Sequence, residues 1–138
     1  MKGLTVTDLT RFIDERGFFA ELMRNNGDLA QVSYSWSYPG VVRAWHRHKR
    51  GQIDRFIVLK GSMKVCSYDG MEISSVVVSE DRLQMVTVDG KYWHGVQVIG
   101  NQPALLIEIV NNQYDRADPD EERRPWNKPN PWAENTNK

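Results

Sequence analysis

Apolar residues in this chain come in short, β-branched runs broken by turn residues, and nowhere do they hold a three-to-four spacing over a dozen positions. A helix that buries one face needs that spacing, whereas a strand needs only alternation or a brief apolar run. An all-β fold is therefore expected. The runs predict strands at Leu4–Thr7, Phe18–Met23, Ala30–Ser37, Val41–His48, Ile53–Lys60, Ser62–Tyr68, Ile73–Val78, Leu83–Val88, His94–Ile99 and Ala104–Asn111. Gly61 can separate two of them. Asp69-Gly70 reads as a tight hairpin turn, because that pair tolerates the positive φ such turns require. Asp89-Gly90 and Gly100-Asn101 punctuate in the same way. Short strands at this spacing suit a sandwich or barrel.

A chain of 138 residues supports one core and not two. After Tyr114 the composition changes: residues 115–138 are polar and contain four of the six prolines, so a continuous helix is excluded there. The expected division is a barrel over residues 1–117 and an irregular Pro-rich tail over 118–138. Trp126 and Trp132 are available to pin that tail to the barrel or to a neighbouring subunit. Eighteen basic residues balance eighteen acidic ones, so no net field draws the chain to nucleic acid or a membrane surface. Residues 1–10 lack the charged start and apolar run of a signal peptide. Cys66 is the only cysteine, which excludes an intrachain disulfide. A cytoplasmic protein without a membrane span is expected.

The three histidines are the most informative residues. His46 and His48 are two apart at the end of a strand and leave the same face. His94 lies near the start of a later strand. Residues 40–61 read G-x5-H-x-H-x5-D-x6-G, which resembles the first motif of the cupin superfamily, and Val88 to His94 resembles a weakened second motif. The resemblance implies that both motifs line the mouth of one small barrel, bringing three imidazoles together. Two chemistries then compete. His46, His48 and His94, with Asp54 or Gln52, could bind one divalent metal. Alternatively, one histidine is a general base with a pKa near working pH. A third reading has them merely packing or hydrogen-bonding on a wet barrel face. The acidic ligand is displaced from its usual spacing and Gly90 stands one residue too far from His94, so no metal and no cofactor are expected.

The flanking sequence agrees. Asp14-Glu15-Arg16-Gly17-Phe18-Phe19-Ala20-Glu21 matches the D-x-R-G-x-F-x-E pattern of the dTDP-4-dehydrorhamnose 3,5-epimerase family. Gln31 to Ser37 resembles its Q-x-N-x-S-x-S segment, with Ser33 in place of asparagine. Gly40 to His46 resembles its G-V-L-R-G-L-H segment, and His94 to Val98 its H-G-F-x-V strand. The matches run in the family's order from about residue 9 to residue 129. This resemblance implies a metal-free cupin barrel, a homodimer that exchanges N-terminal strands, and a dTDP-linked 4-keto-6-deoxysugar as substrate. It implies His46 as the base that removes the C3 proton. Arg16 and Arg43 would contact phosphate or sugar, and Phe19, Glu21, Gln31 and Ser33 would hold the nucleotide, partly from the neighbouring subunit. Strict alternation puts Arg43 on the face opposite His46, so both can serve one site only through a bulge or a reach around the rim.

Departures from the pattern limit what carries over. Where the family has a lysine, this chain has Asp54. The tyrosine expected as proton donor falls on Ile107, and the late aspartate that orients the histidine falls near Asn127 or Lys128. Arg43 to Lys49 also resembles the R-G-x-H-A-H-K motif of the sugar 3,4-ketoisomerases, which use a histidine pair to move a proton between C3 and C4. The chain is thus expected to be a nucleotide-sugar isomerase, an epimerase or ketoisomerase at C3. His46 and His48 are its catalytic histidines. Of the available tyrosines Tyr34, Tyr92 and Tyr114, Tyr114 is the candidate partner. Asp54 and His94 join the substrate-binding set. The alternatives are a metal-dependent cupin enzyme using His46, His48, His94 and Asp54, or a non-catalytic sugar-nucleotide binder.

Overall fold

The computed structural model describes residues 1–132. Its strands are β1 (Leu4–Asp8), β2 (Phe12–Asp14), β3 (Gly17–Phe19), β4 (Gln31–Ser37), β5 (Val42–Arg47), β6 (Ile53–Lys60), β7 (Ser62–Tyr68), β8 (Ile73–Ser79), β9 (Gln84–Asp89), β10 (Trp93–Ile99), β11 (Ala104–Val110) and β12 (Glu122–Arg123). Ten of them build two facing antiparallel sheets, ordered β1-β9-β6-β11-β4 and β12-β5-β10-β7-β8, while β2 and β3 pair as a separate ribbon. This is an all-β barrel of the cupin type, as the resemblance implied. No helix among the described residues is long and apolar enough to cross a membrane.

Alternation sends one face of most sheet strands into a single core. Leu4, Phe56, Val58, Met63, Val65, Val86, Val88, Val98 and Leu106 fill it, each contributing roughly 1.5–3 kcal/mol through burial. Part of each outer face is also covered. Leu9, Ala20, Leu22 and Met23 lie across the first sheet against Ile57, Leu83, Met85 and Ile109. On the second sheet Trp132 packs on Trp45, with ring centroids 5.1 Å apart, beside Cys66. Burial in this apolar layer pushes the Cys66 thiol up to about 11. Trp132 Nε1 donates to the Trp126 carbonyl (2.8 Å), and Trp45 Nε1 donates to that of Pro129 (3.0 Å). The tail therefore docks through Trp132, whereas Trp126 stays exposed. The last part of the expected tail, 133–138, lies outside the described residues.

Four local differences from the sequence expectation have physical causes. The strand expected over Phe18–Met23 stops at Phe19, because Leu22 and Met23 leave the ribbon to cover the first sheet. The ribbon's other strand, β2, went unforeseen: Asp14 pairs with Gly17, and Asp14 Oδ1 accepts the Arg16 N–H (2.9 Å). At Asp69-Gly70 the register Tyr68↔Ile73 makes a four-residue loop rather than a tight turn, held by Asp69 Oδ1 accepting the N–H groups of Met71 and Glu72. Finally, tail residues form β12, which pairs with β5.

Candidate active site

The end of β5 carries the site, and its pairing with β10 sets which side chains enter. His46 pairs with His94 and Arg43 with Val96, so Ala44 and Trp45 together oppose Gly95. That is a bulge, the condition under which Arg43 and His46 can share a face. Gly95 permits it, since a Cβ there would lie 2.3 Å from that of Ala44. Arg43 points inward and its Nε donates to Ser37 Oγ on the facing sheet (2.9 Å).

Two adjoining cavities open at this end. The inner one, about 390 Å³, is lined by Arg43, His46, Asp54, His94 and Arg123 among others. The outer one, about 480 Å³, is lined by Gln31, Ser33, Arg50, Gln52 and Tyr114 among others. His48, Glu108 and Glu121 border both.

Asp54 is the hub of the inner cavity and is only 1% exposed. Its Oδ2 meets His94 Nε2 at 2.9 Å and His48 Nε2 at 3.3 Å, while Oδ1 accepts from Gln52 Nε2 at 2.6 Å. Burial would raise this carboxyl, but the bonds from His48, His94 and Gln52 outweigh it and hold it well below the usual carboxylate range. Each of the two rings turns Nδ1 to a backbone carbonyl, His48 to Asp120 (2.7 Å) and His94 to Tyr92 (2.9 Å), so both Nδ1 atoms carry hydrogen. The 2.9 Å contact between His94 and Asp54 then needs a further proton between Nε2 and Oδ2. For His48, burial acts downward, yet its bonds to Asp54 and Asp120 prevail and the ring is raised. Gly90 fits beneath this ring: its carbonyl accepts the His48 N–H (2.7 Å), and a Cβ would meet His48 Cδ2 at 2.9 Å.

His46 differs. Its Nδ1 lies 3.2 Å from Glu121 Oε1, close enough for charge attraction but not aligned as a hydrogen bond. Burial and the neighbouring His94 lower the ring to about 4, and Glu121 opposes them only in part. These surroundings favour the neutral ring near pH 7, and the ring lines the inner cavity. Glu121 arrives on the tail, beside the β12–β5 pairing that joins Arg123 to His46 and Glu122 to Arg47. Asp120 fixes the same segment by accepting the N–H groups of Lys49 and Arg50 (2.8 and 2.9 Å).

Of the expected site residues, His46, His48, His94, Asp54 and Arg43 meet in the inner cavity, and Gln31, Ser33 and Tyr114 border the outer one. Tyr114 is half exposed there, its N–H donating to Gln31 Oε1 (3.0 Å). Arg16, Phe19 and Glu21 do not join them within one chain. Arg16 and Phe19 line a separate cleft on the β2–β3 ribbon, where Arg16 pairs with Asp14, and Glu21 pairs with Arg24. The carboxylate beside His46 is Glu121, not a residue at Asn127 or Lys128, which lie exposed in a turn. Sequence reasoning also missed Glu108, although a lone charge inside the apolar run Ala104–Val110 was a visible signal. Its carboxyl is pushed up to about 7, mainly by burial and then by the Asp54 charge, against the pull of His94 and His48.

An antiparallel barrel with three imidazoles and carboxyl groups gathered at one end defines a cupin-type protein. Residues 12–122 match the family described as the polysaccharide biosynthesis C-terminal domain, and the chain belongs to that family. It is 42% identical over 133 residues, 88% of this chain and 85% of that protein, to the probable low-salt glycan biosynthesis epimerase Agl13 of Haloferax volcanii. Among solved structures, the dTDP sugar isomerase of Desulfovibrio desulfuricans superposes with a TM-score of 0.82 at 22% identity, over 96% of this chain and 90% of that one. The dTDP-6-deoxy-D-glucose-3,5-epimerase of Legionella pneumophila gives 0.76 at 21% identity, over 89% and 73%. These two likenesses show the fold, and the expected resemblance to the 3,5-epimerases holds.

Proposed function

We propose that the chain is a nucleotide-sugar isomerase that epimerises or ketoisomerises a dTDP-linked 4-keto-6-deoxyhexose at C3, with His46 as base. The observation that carries this reading is the placement of His46, a part-buried imidazole at the cavity wall with the Glu121 carboxylate behind Nδ1, in surroundings that favour the neutral ring. A ketone at C4 acidifies the C3–H bond, so a neutral imidazole can take that proton and leave an enolate. Glu121 then stabilises the imidazolium that forms, and Arg43 offers a cation for the enolate oxygen. The 42% identical glycan biosynthesis epimerase supports the reaction class.

The nucleotide would lie in the outer cavity against Gln31 and Ser33, completed by Arg16, Phe19 and Glu21 of a second copy. Two apolar surfaces support such a homodimer. The ribbon exposes Phe12, Ile13, Phe18 and Phe19, and the edge strand β4 exposes Val32, Tyr34 and Trp36 on its outer face. An apolar patch beside an unpaired edge is what an exchanged strand covers.

Incubation with a dTDP-4-keto-6-deoxyhexose in deuterated water tests the chemistry. Label should enter C3 much faster than C5, and His46→Asn should cut exchange by roughly 10²–10⁴-fold, the usual share of a positioned base. Exchange by His46→Asn at the wild-type rate would overturn the assignment, and no exchange by the wild type would favour a non-catalytic binder. A metal-dependent reading has one observation in its favour: donor atoms of His48, Asp54 and His94 lie within 4.8 Å of one another. His46 stands outside that set, and stoichiometric metal with activity lost on chelation would establish it.

A further inference from the structure

We infer that Glu108 is the general acid that returns a proton to the sugar from the face opposite His46. The inference deepens the proposed function and rests on His46 being the base. It starts from the parity of β11. Ile107 stands where a tyrosine donor was expected, and it packs outward with Ile57, Leu83, Met85 and Ile109 beneath the N-terminal segment. Its neighbours Leu106 and Glu108 therefore face inward, Leu106 into the core and Glu108 into the cavities. The position one residue on from the missing donor thus presents an acid to the same space.

Placement also suits the stereochemistry. His46 stands on β5 in one sheet and Glu108 on β11 in the other, so they occupy facing walls of the barrel mouth. Inversion at a carbon next to a carbonyl requires removal of a proton from one side and delivery to the other. His46 takes the C3 proton while the C–H electron pair moves into the enolate. That pair then forms the new C–H bond with the Glu108 proton on the opposite side. His46 is left protonated and Glu108 ionised, and exchange with solvent resets both.

The surroundings keep Glu108 in the donating form near neutrality. Asp54 on β6 and Glu121 on the tail disfavour its charge, while His48 on β5 and His94 on β10 favour it. Arg43 and Arg123 border the inner cavity with it, Arg50, Tyr114, Asp115, Asp118 and Asp120 border the outer one, and β4 contributes only the uncharged Gln31, Ser33 and Ser35 to these walls. With its carboxyl at about 7, much of it is protonated at pH 7, the range in which a general acid is most effective.

The test separates exchange from inversion by NMR of the labelled sugar. Glu108→Gln, of nearly the same shape but unable to donate a carboxyl proton, should still exchange C3 with retained configuration while epimer formation falls roughly 10²-fold or more. Glu108→Asp should recover part of that loss. In the wild type, epimer formation should fall as pH rises through about 7 while exchange persists, a readout that needs no variant. Epimer formation that stays level to alkaline pH, or that survives Glu108→Gln but is lost in Tyr114→Phe, would overturn the role of Glu108. Absence of exchange in the wild type would instead overturn the base and this inference with it.

Discussion

His46 and His48 leave one face of one strand two residues apart, yet they stand in opposite chemical situations. His48 shares Asp54 with His94, has both ring nitrogens bonded, and is raised. His46 has one loosely placed carboxylate at Nδ1 and is lowered to about 4. A saturated buried network resists change, whereas a base must alternate between charged and neutral within a turnover. The first pair of rings is built to hold a proton and the His46 corner to exchange one. Equal spacing along a strand therefore assigns no role; partners brought from β6 and from the tail do.

The largest effect that would break this contrast is on stability. Asp54→Asn removes the shared charge and should lower the unfolding free energy by about 3–5 kcal/mol, the usual cost of breaking a buried pair from one side. His46→Asn should cost about 1 kcal/mol or less. Urea denaturation at pH 7 measures both, and equal losses would erase the distinction. A smaller effect concerns the corner itself. Glu121→Gln keeps the shape but cannot balance an imidazolium, so C3 exchange should drop about tenfold, near 1.4 kcal/mol in the barrier. An unchanged rate would mean that Glu121 is a bystander.

The smallest effect lies in the pH dependence of stability. His46 has its ordinary 6.5 when unfolded and about 4 when folded. Between those values the unfolded chain binds the extra proton, so the contribution of His46 to stability falls as pH falls from 6.5 to 4. Asp54, also lowered, contributes stability that is full above its ordinary 3.8 and lost below it. His48 acts in the other sense: its contribution is full below 6.5 and fades as pH rises through its raised folded value. Glu108 opposes His46, because between its ordinary 4.5 and about 7 the folded chain binds the extra proton and stability falls as pH rises. His46→Asn should therefore tilt the profile toward lower stability with rising pH between 4.5 and 6.5 and leave the stretch below pH 4 steep. Chemical denaturation across that range measures it, and a wild-type slope in the variant would contradict the lowered ring.

Much of the barrel was legible because alternation and short β-branched runs are local signals, and the expected strands from β4 to β11 have counterparts differing by a residue or two at their ends. The histidine cluster was legible through its motif. What escaped depended on distant pairing. Glu121 reaches His46 only because the tail docks through Trp132 and adds β12 to β5, and nothing local in a Pro-rich, polar stretch announces a two-residue strand. Glu108 escaped for a different reason. Matching Ile107 to the expected tyrosine drew attention to a residue that faces the wrong side, and only the observed parity of β11 separates the two.

The extra residue in β5 makes one link of the chain expendable. Arg43 and His46 are an odd number of steps apart, and the bulge absorbs the surplus by setting Ala44 and Trp45 together against Gly95. Trp45 is buried under Trp132, so Ala44 is the spare. A chain lacking Ala44 would run as a plain ladder and still send Arg43, His46 and His48 inward. Losing Arg47 instead would bring His46 and His48 to adjacent positions and turn them to opposite faces. Length variation in this strand is tolerable at one address and ruinous two or three residues further along.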